Sequence, residues 1–226
     1  MTPDLIIFDC DGVLVDSEIV AARLEADLLT EAGFPIEAGE LAQRYAGLTF
    51  RDILLAVEKE AQVPLQASLL DRAEKLVDEK LATTVRAVDG AREAVALTTL
   101  PKCICSNSSP KRLEAMLGRT GMLPFFAGRI FSAKAEPAMR PKPAPDIYLH
   151  AATTLKADPA LCFVVEDSAH GVHAAKSAGM RVIGFTGATH SWPGHADRLT
   201  DAGAETVIRR FADLHPTIDA LSAWSE

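Results

Sequence analysis

The chain is expected to fold as an α/β protein, a doubly wound parallel sheet interrupted early by a helical insertion. Three observations carry that expectation. Leu5-Ile6-Ile7-Phe8 is a short continuous apolar run, the pattern of a strand buried on both faces. From about residue 88, strand-like runs (KCICS, GRIFS, LCFVVED and RVIGFT) alternate with helical segments near 91–98, 111–118, 145–155 and 169–179. That alternation implies parallel strands joined by right-handed crossovers. Between these parts, roughly residues 18 to 86 keep apolar residues at three- and four-residue spacing.

In chain order, the first strand ends at Asp9-Cys10-Asp11-Gly12, where glycine permits a tight turn. The helical stretch follows, with Leu24, Leu28 and Leu29, then Ile53, Leu54 and Val57, punctuated at Gly33-Phe34-Pro35 and Val63-Pro64. A lone strand cannot satisfy its backbone, so the first strand belongs to the later sheet and the helices are inserted between them. The expected division is residues 1–15 with 88–226 as an α/β core, and 16–87 as the insertion. No internal repeat or low-complexity segment is evident.

With 226 residues and 48% hydrophobic content, the chain can fill a sizeable core without staples. A formal net charge of −8 argues against nucleic acid, which needs a basic face. Cys10, Cys103, Cys105 and Cys162 lie in apolar strand-like runs without CxxC or CxxH spacing, as reduced core thiols of a cytoplasmic protein would. The first strand starts almost at Met1, and no apolar run approaches the ~18 residues of a membrane span, so neither a signal peptide nor a membrane partner is expected. Residues 16–87 hold 8 Lys and Arg against 14 Asp and Glu. The insertion is therefore no general anion funnel, and an anionic substrate must be gripped by a few placed groups and a metal.

Candidates for those groups stand at strand ends. Asp9 and Asp11 follow the first strand, Ser106-Asn107 ends CICSN, Lys142 lies in MRPKPAPD, and Glu166-Asp167 ends FVVED. A parallel sheet gathers its carboxyl ends along one edge, where such sheets bind ligands. Four acids in one crevice call for a cation, and oxygen ligands select Mg²⁺, usually completed by substrate phosphate. In D-x-D spacing one carboxylate can face phosphorus and metal while the second, on the same side of the chain, handles protons. Lys142, the Ser106 hydroxyl and the free N–H groups of the helix after Ser109-Pro110 suit phosphoryl transfer.

Each element also has a plainer reading. DCDG reads as an acidic turn, although an EF-hand is excluded because its glycine position is Leu14. Lys142 among prolines reads as a solvated lysine, Glu166-Asp167-Ser168 as a helix cap, and Ser106-Asn107-Ser108-Ser109 as a loop with a capping serine. Their joint occurrence in this order favours the site.

That joint pattern resembles the haloacid dehalogenase superfamily of aspartate-nucleophile phosphotransferases. DCDGVLVDSE is similar to its D-x-D-G-x-x-x-D motif, CICSNS to its Ser/Thr motif, RPKPAPDIY to its Lys motif and VVEDSAHGVHAAKSAGM to its acidic motif. The resemblance spans nearly the whole chain and implies a Rossmann-like core with a helical cap, 16–87, of the β-phosphoglucomutase-like branch. Closest in kind are phosphatases for small sugar phosphates such as 6-phosphogluconate. It implies that Asp9 attacks phosphorus and binds Mg²⁺, and that Asp11 serves the leaving group and water while its carbonyl contacts the metal. It further implies that Ser106, Asn107 and Lys142 hold phosphate, and that Asp167 with Glu166 completes the metal site. In the cap, Gly47, Leu48, Thr49 and Arg51 take the place of the substrate-contacting loop.

The implied activity is Mg²⁺-dependent hydrolysis of a small phosphorylated metabolite, by a monomer or weak dimer. The alternative within the family is a phosphosugar mutase. Against it, Ala21 replaces a mutase hinge histidine, and Ala46 replaces a basic residue before the cap-loop glycine. A phosphonate-hydrolysing relative would need a Schiff-base lysine in the cap, where Lys59, Lys75 and Lys80 stand. A receiver-like phosphoaspartate module fits poorly, since its acceptor ends the third strand and it lacks an insertion. Two further groups are read as structural: His170 and His173 at a helix start, and His190, Trp192 and His195 in a polar loop facing the crevice.

Overall fold

A computed structural model describes residues 2–45, 48–61, 68–135 and 138–223. Its six strands are β1 (Leu5–Phe8), β2 (Lys102–Ser106), β3 (Ile130–Ser132), β4 (Cys162–Glu166), β5 (Arg181–Phe185) and β6 (Thr206–Ile208). They form one sheet in the order β3-β2-β1-β4-β5-β6, every neighbouring pair parallel. The order reverses at β1, which lies between β2 and β4, and the carboxyl ends around such a switch point form the binding crevice of doubly wound sheets. β6 has no counterpart in the sequence reading. At 3 residues it is too short to stand out from its surroundings.

The chain divides into two compact units, Met1–Asp16 with Arg86–Glu226, and Ser17–Val85. In the first, α5 (Ala91–Leu97), α6 (Pro110–Arg119), α7 (Asp146–Leu155) and α8 (Ala169–Ser177) occupy the crossovers, and α9 (His195–Asp201) and α10 (Leu214–Ala223) complete the unit. Alternate strand residues, Leu5 and Ile7, Cys103 and Cys105, Cys162 and Val164, pack against Tyr148 and Ala151 of α7 and Val172 and Ala175 of α8. This is the period of two expected of a sheet covered on both faces. On the opposite face Phe8 meets Phe126 edge-on at 6.1 Å. All four cysteines are free and buried, and burial pushes the Cys162 thiol up to about 12.

The second unit holds α1 (Glu18–Glu31), α2 (Ala38–Arg44), α3 (Phe50–Ala61) and α4 (Ser68–Thr84) around Leu28, Leu29, Leu41, Ile53, Leu54, Val57 and Leu69. The break at Gly33 is used, with φ +96°, whereas Val63-Pro64 lies outside the described residues. Within the first unit, the two segments that flank the insertion in sequence are joined by backbone contacts. Asp16 N–H donates to Arg86 O at 2.9 Å, Val88 N–H donates to Leu14 O at 3.0 Å, and Val15 bridges Ala87. No described helix is long and apolar enough to cross a membrane.

Candidate active site

β1 delivers its acids through a turn. Asp9 N–H still donates to Val165 O of the neighbouring strand at 3.0 Å, so Asp9 continues the sheet. The chain then reverses at Gly12, φ +73°, where a Cβ would collide with the Asp167 carboxylate and crowd the His190 ring. Only glycine satisfies both the backbone angle and that close approach.

Lys142 reaches Asp9 from the loop before α7. Its ammonium donates to Asp9 Oδ1 at 2.6 Å, to Glu166 Oε1 at 2.6 Å and to Cys105 O at 2.8 Å. Those bonds use all three of its protons. Burial pulls the Lys142 pKa down, but the two carboxylates outweigh burial and hold it well above its ordinary value. One ammonium between two carboxylates leaves an uncompensated negative charge. Burial accordingly raises Asp9 well above the usual carboxylate range against the pull of Lys142, with Glu166, Asp167 and Asp11 adding to the rise.

Glu166 is placed differently from the expected metal ligand. Oε1 accepts from Lys142 and from Tyr148 Oη at 3.0 Å, and Oε2 accepts from both the N–H and the hydroxyl of Ser168 at 3.0 Å. It is 1% exposed. A carboxylate so fully engaged holds Lys142 rather than a cation. Gly171 makes its room, since a Cβ there would overlap the carboxylate.

Asp11 is fixed by hydroxyls. Ser106 Oγ donates to its Oδ2 at 3.2 Å and Ser108 Oγ at 2.7 Å, while Ser108 N–H donates to Ser106 Oγ at 3.0 Å. Asn107, expected to hold phosphate, clamps the Lys142 backbone with its side chain. Its Oδ1 accepts from Lys142 N–H at 3.0 Å and its Nδ2 donates to Lys142 O at 3.3 Å. Ser109 caps α6 by accepting from Arg112 N–H, with Pro110 in the first turn.

Asp167 pairs with His190, whose Nε2 lies 3.0 Å from Oδ2. Burial raises the Asp167 pKa and His190 draws it back only in part. Asp9 and Asp167 are thus two buried carboxylates, each with one oxygen held by a nitrogen. Among the described residues no group of three His, Cys, Asp or Glu is arranged to hold a metal. Two side-chain carboxylates carrying excess negative charge fit Mg²⁺, which takes few protein oxygens and is completed by water and phosphate.

Of the expected site residues, Asp9, Asp11, Ser106, Lys142, Glu166 and Asp167 come together at the ends of β1, β2 and β4. The insertion residues do not read as a ready site. Gly47, with Ala46, lies outside the described residues. Leu48 is exposed, and Arg51 is exposed on α3. Thr49 is a helix cap: its Oγ1 accepts from Asp52 N–H at 3.2 Å and donates to Asp52 Oδ2 at 2.7 Å. A threonine three residues before an acid was the available signal. The sequence reading also passed over Ser108, taken as loop, and Tyr148, a buried tyrosine within the lysine motif.

A family model described as haloacid dehalogenase-like hydrolase matches residues 3–179. The chain belongs to that family. It is therefore an enzyme, a hydrolase, and the family expectation raised by its motifs holds. It is 31% identical to 6-phosphogluconate phosphatase of Escherichia coli K12 over 195 residues, 84% of this chain and 86% of that one. It is also 31% identical to hexitol phosphatase B of the same organism, over 78% of this chain and 81% of that one. Among solved structures it resembles a haloacid dehalogenase-like protein of unknown function from Agrobacterium tumefaciens, with TM-score 0.92 and 58% identity over 97% of this chain and 99% of that one. It also resembles a family hydrolase of Deinococcus radiodurans with bound phosphate and sodium, with TM-score 0.81 and 29% identity over 98% and 97%.

Proposed function

We propose that this hydrolase is a Mg²⁺-dependent phosphatase of small sugar or sugar-acid phosphates that works through an aspartyl phosphate on Asp9. The observation that carries the reading is the pairing of a nucleophile and a proton carrier from one turn. Asp9 is held by Lys142, and Asp11, two residues on, is held by Ser106 and Ser108. In this reading the two carboxylates divide the work. An oxygen of Asp9 forms a bond to phosphorus as the ester P–O bond breaks, and the departing alkoxide takes a proton from Asp11. Water then attacks phosphorus, Asp11 accepts its proton, and phosphate leaves as the Asp9 carboxylate is restored. Splitting one hard displacement into two easier ones is the gain from the covalent step.

Asp9 and Asp167 with the Asp11 carbonyl would hold Mg²⁺, which supplies neutralisation of the phosphoryl oxygens and of the crowded carboxylates. Lys142 keeps Asp9 aligned and partly neutralised, and its hold on Glu166 fixes its position. The substrate class is supported by two relatives named for 6-phosphogluconate and hexitol phosphates, and a bound phosphate in a third is consistent with the site. The enzyme acts in the cytoplasm on diffusible metabolites in this reading.

The test is a turnover screen of phosphorylated metabolites with Mg²⁺ and with EDTA. Phosphate release confined to sugar and sugar-acid esters and lost with EDTA is expected. Full activity in metal-free protein, or no phosphate release from any ester, overturns the reading.

A further inference from the structure

The segment after β5, Gly187 to His195, carries two imidazoles that the proposed chemistry does not use. Both reach Asp167. His190 Nε2 is 3.0 Å from Asp167 Oδ2, and His195 Nε2 donates to the Asp167 backbone carbonyl at 2.7 Å. The second contact sets the His195 tautomer, because Nδ1 then accepts from Ser191 Oγ at 3.2 Å. His195 is 2% exposed, stacks on Trp192 at 4.0 Å and meets the His190 ring edge-on at 5.7 Å. A third anchor lies just upstream, where Thr189 donates both its N–H and its hydroxyl to Asp16 Oδ1, at 3.2 and 2.9 Å. A loop that served only to connect β5 to α9 needs none of these contacts.

We propose that His190 is a positioning residue for the metal site, fixing the rotation of the Asp167 carboxylate by donating to Oδ2 so that the other oxygen faces the cation. The inference rests on the Mg²⁺-phosphatase reading. A carboxylate turns easily about its last bond, so without a second contact it presents its oxygens to a cation in many orientations. Two contacts close that freedom at one oxygen, Oδ2. His190 holds one oxygen, and the Gly12 backbone sits so close that no side chain fits between it and Asp167. His195 fixes the backbone of the same residue, and Ser191 and Trp192 fix His195. Partners of this kind orient a ligand before the metal arrives, and their loss typically lowers metal affinity about 10–100-fold.

The test titrates metal-free wild type, His190→Phe, His190→Gln and Asp167→Asn with Mg²⁺ by calorimetry, after circular dichroism confirms folding. His190→Phe is expected to weaken Mg²⁺ binding about 10–100-fold and to raise the Mg²⁺ concentration for half-maximal activity in step. His190→Gln, whose amide N–H can take the place of Nε2–H, is expected to recover most of that loss. Should the phenylalanine variant not fold, His190→Asn, too short to reach Oδ2, takes its place with the same expected loss. Wild-type affinity in the loss variant overturns the positioning role and leaves the phosphatase reading standing. A glutamine variant as weak as the phenylalanine one assigns the effect to ring packing and also overturns it. Absence of Mg²⁺ binding by the wild type, as by Asp167→Asn, overturns both readings.

Discussion

The Lys142 ammonium stands 2.6 Å from Glu166 Oε1, with both side chains buried. The same ammonium serves Asp9 at 2.6 Å. Removing it strands two buried carboxylates. Lys142→Ala is expected to destabilise the protein by about 3–5 kcal/mol, the usual loss when one partner of a buried ion pair is deleted. Thermal unfolding of the two proteins checks it, and an unchanged Tm would mean that the carboxylates find other compensation.

Asp9→Asn is expected to abolish turnover, because an amide cannot form the acyl phosphate, and the loss should fall on kcat. Stability should move the other way in metal-free protein. The folded-state pKa of Asp9 is raised above its unfolded value, so its ionisation destabilises the fold, and the penalty is present above the folded pKa. At neutral pH or above, the asparagine variant should therefore melt higher than wild type, with the gap closing as pH falls through the raised Asp9 pKa. A lower Tm for the variant across the whole range would contradict the charge assignment.

Ser108→Ala removes the shorter of the two serine bonds to the Asp11 carboxylate, 2.7 Å against 3.2 Å. A hydrogen bond to a charged group contributes about 1.5–3 kcal/mol, so kcat should fall on the order of 10-fold or more with little change in KM. Steady-state kinetics decide it. A rise in KM alone would make Ser108 a substrate contact instead.

Thr49→Ala tests the cap against the substrate-loop expectation. Loss of the Asp52 contact should destabilise by ~1 kcal/mol and leave kcat and KM alone. A large KM increase without a change in Tm would restore Thr49 to substrate binding.

Phosphate release should exceed isomerisation. With Ala21 and Ala46 where a mutase carries histidine and a basic residue, a bisphosphate intermediate has less to hold it. Incubation with β-glucose 1-phosphate and glucose 1,6-bisphosphate should yield free phosphate and no activation by the bisphosphate. Glucose 6-phosphate accumulating faster than phosphate would favour the mutase.

The sheet and its site were largely legible in the sequence, since LIIF, CICS and FVVE are apolar runs that end in polar residues and need no partner to be noticed. Strand-end positions pointed to Asp9, Asp11, Lys142 and Asp167 as neighbours, because a parallel sheet brings every carboxyl end to one edge. What each polar atom does there depended on the neighbours that tertiary packing supplies. Glu166 and Asp167 are adjacent in sequence and equally acidic, yet the last residue of β4 faces Lys142, Tyr148 and Ser168 while the next, past the strand end, meets His190. Asn107 and Ser108 gain their contacts in the same way, one clamping the Lys142 backbone and the other fixing Asp11. His190 and His195 lie more than 20 residues beyond Asp167 in a stretch that reads as plain loop, and no local pattern links them to it. Residue type and period set which elements form and where they end, whereas the choice of hydrogen-bond partner is a contest among groups brought together only by the fold.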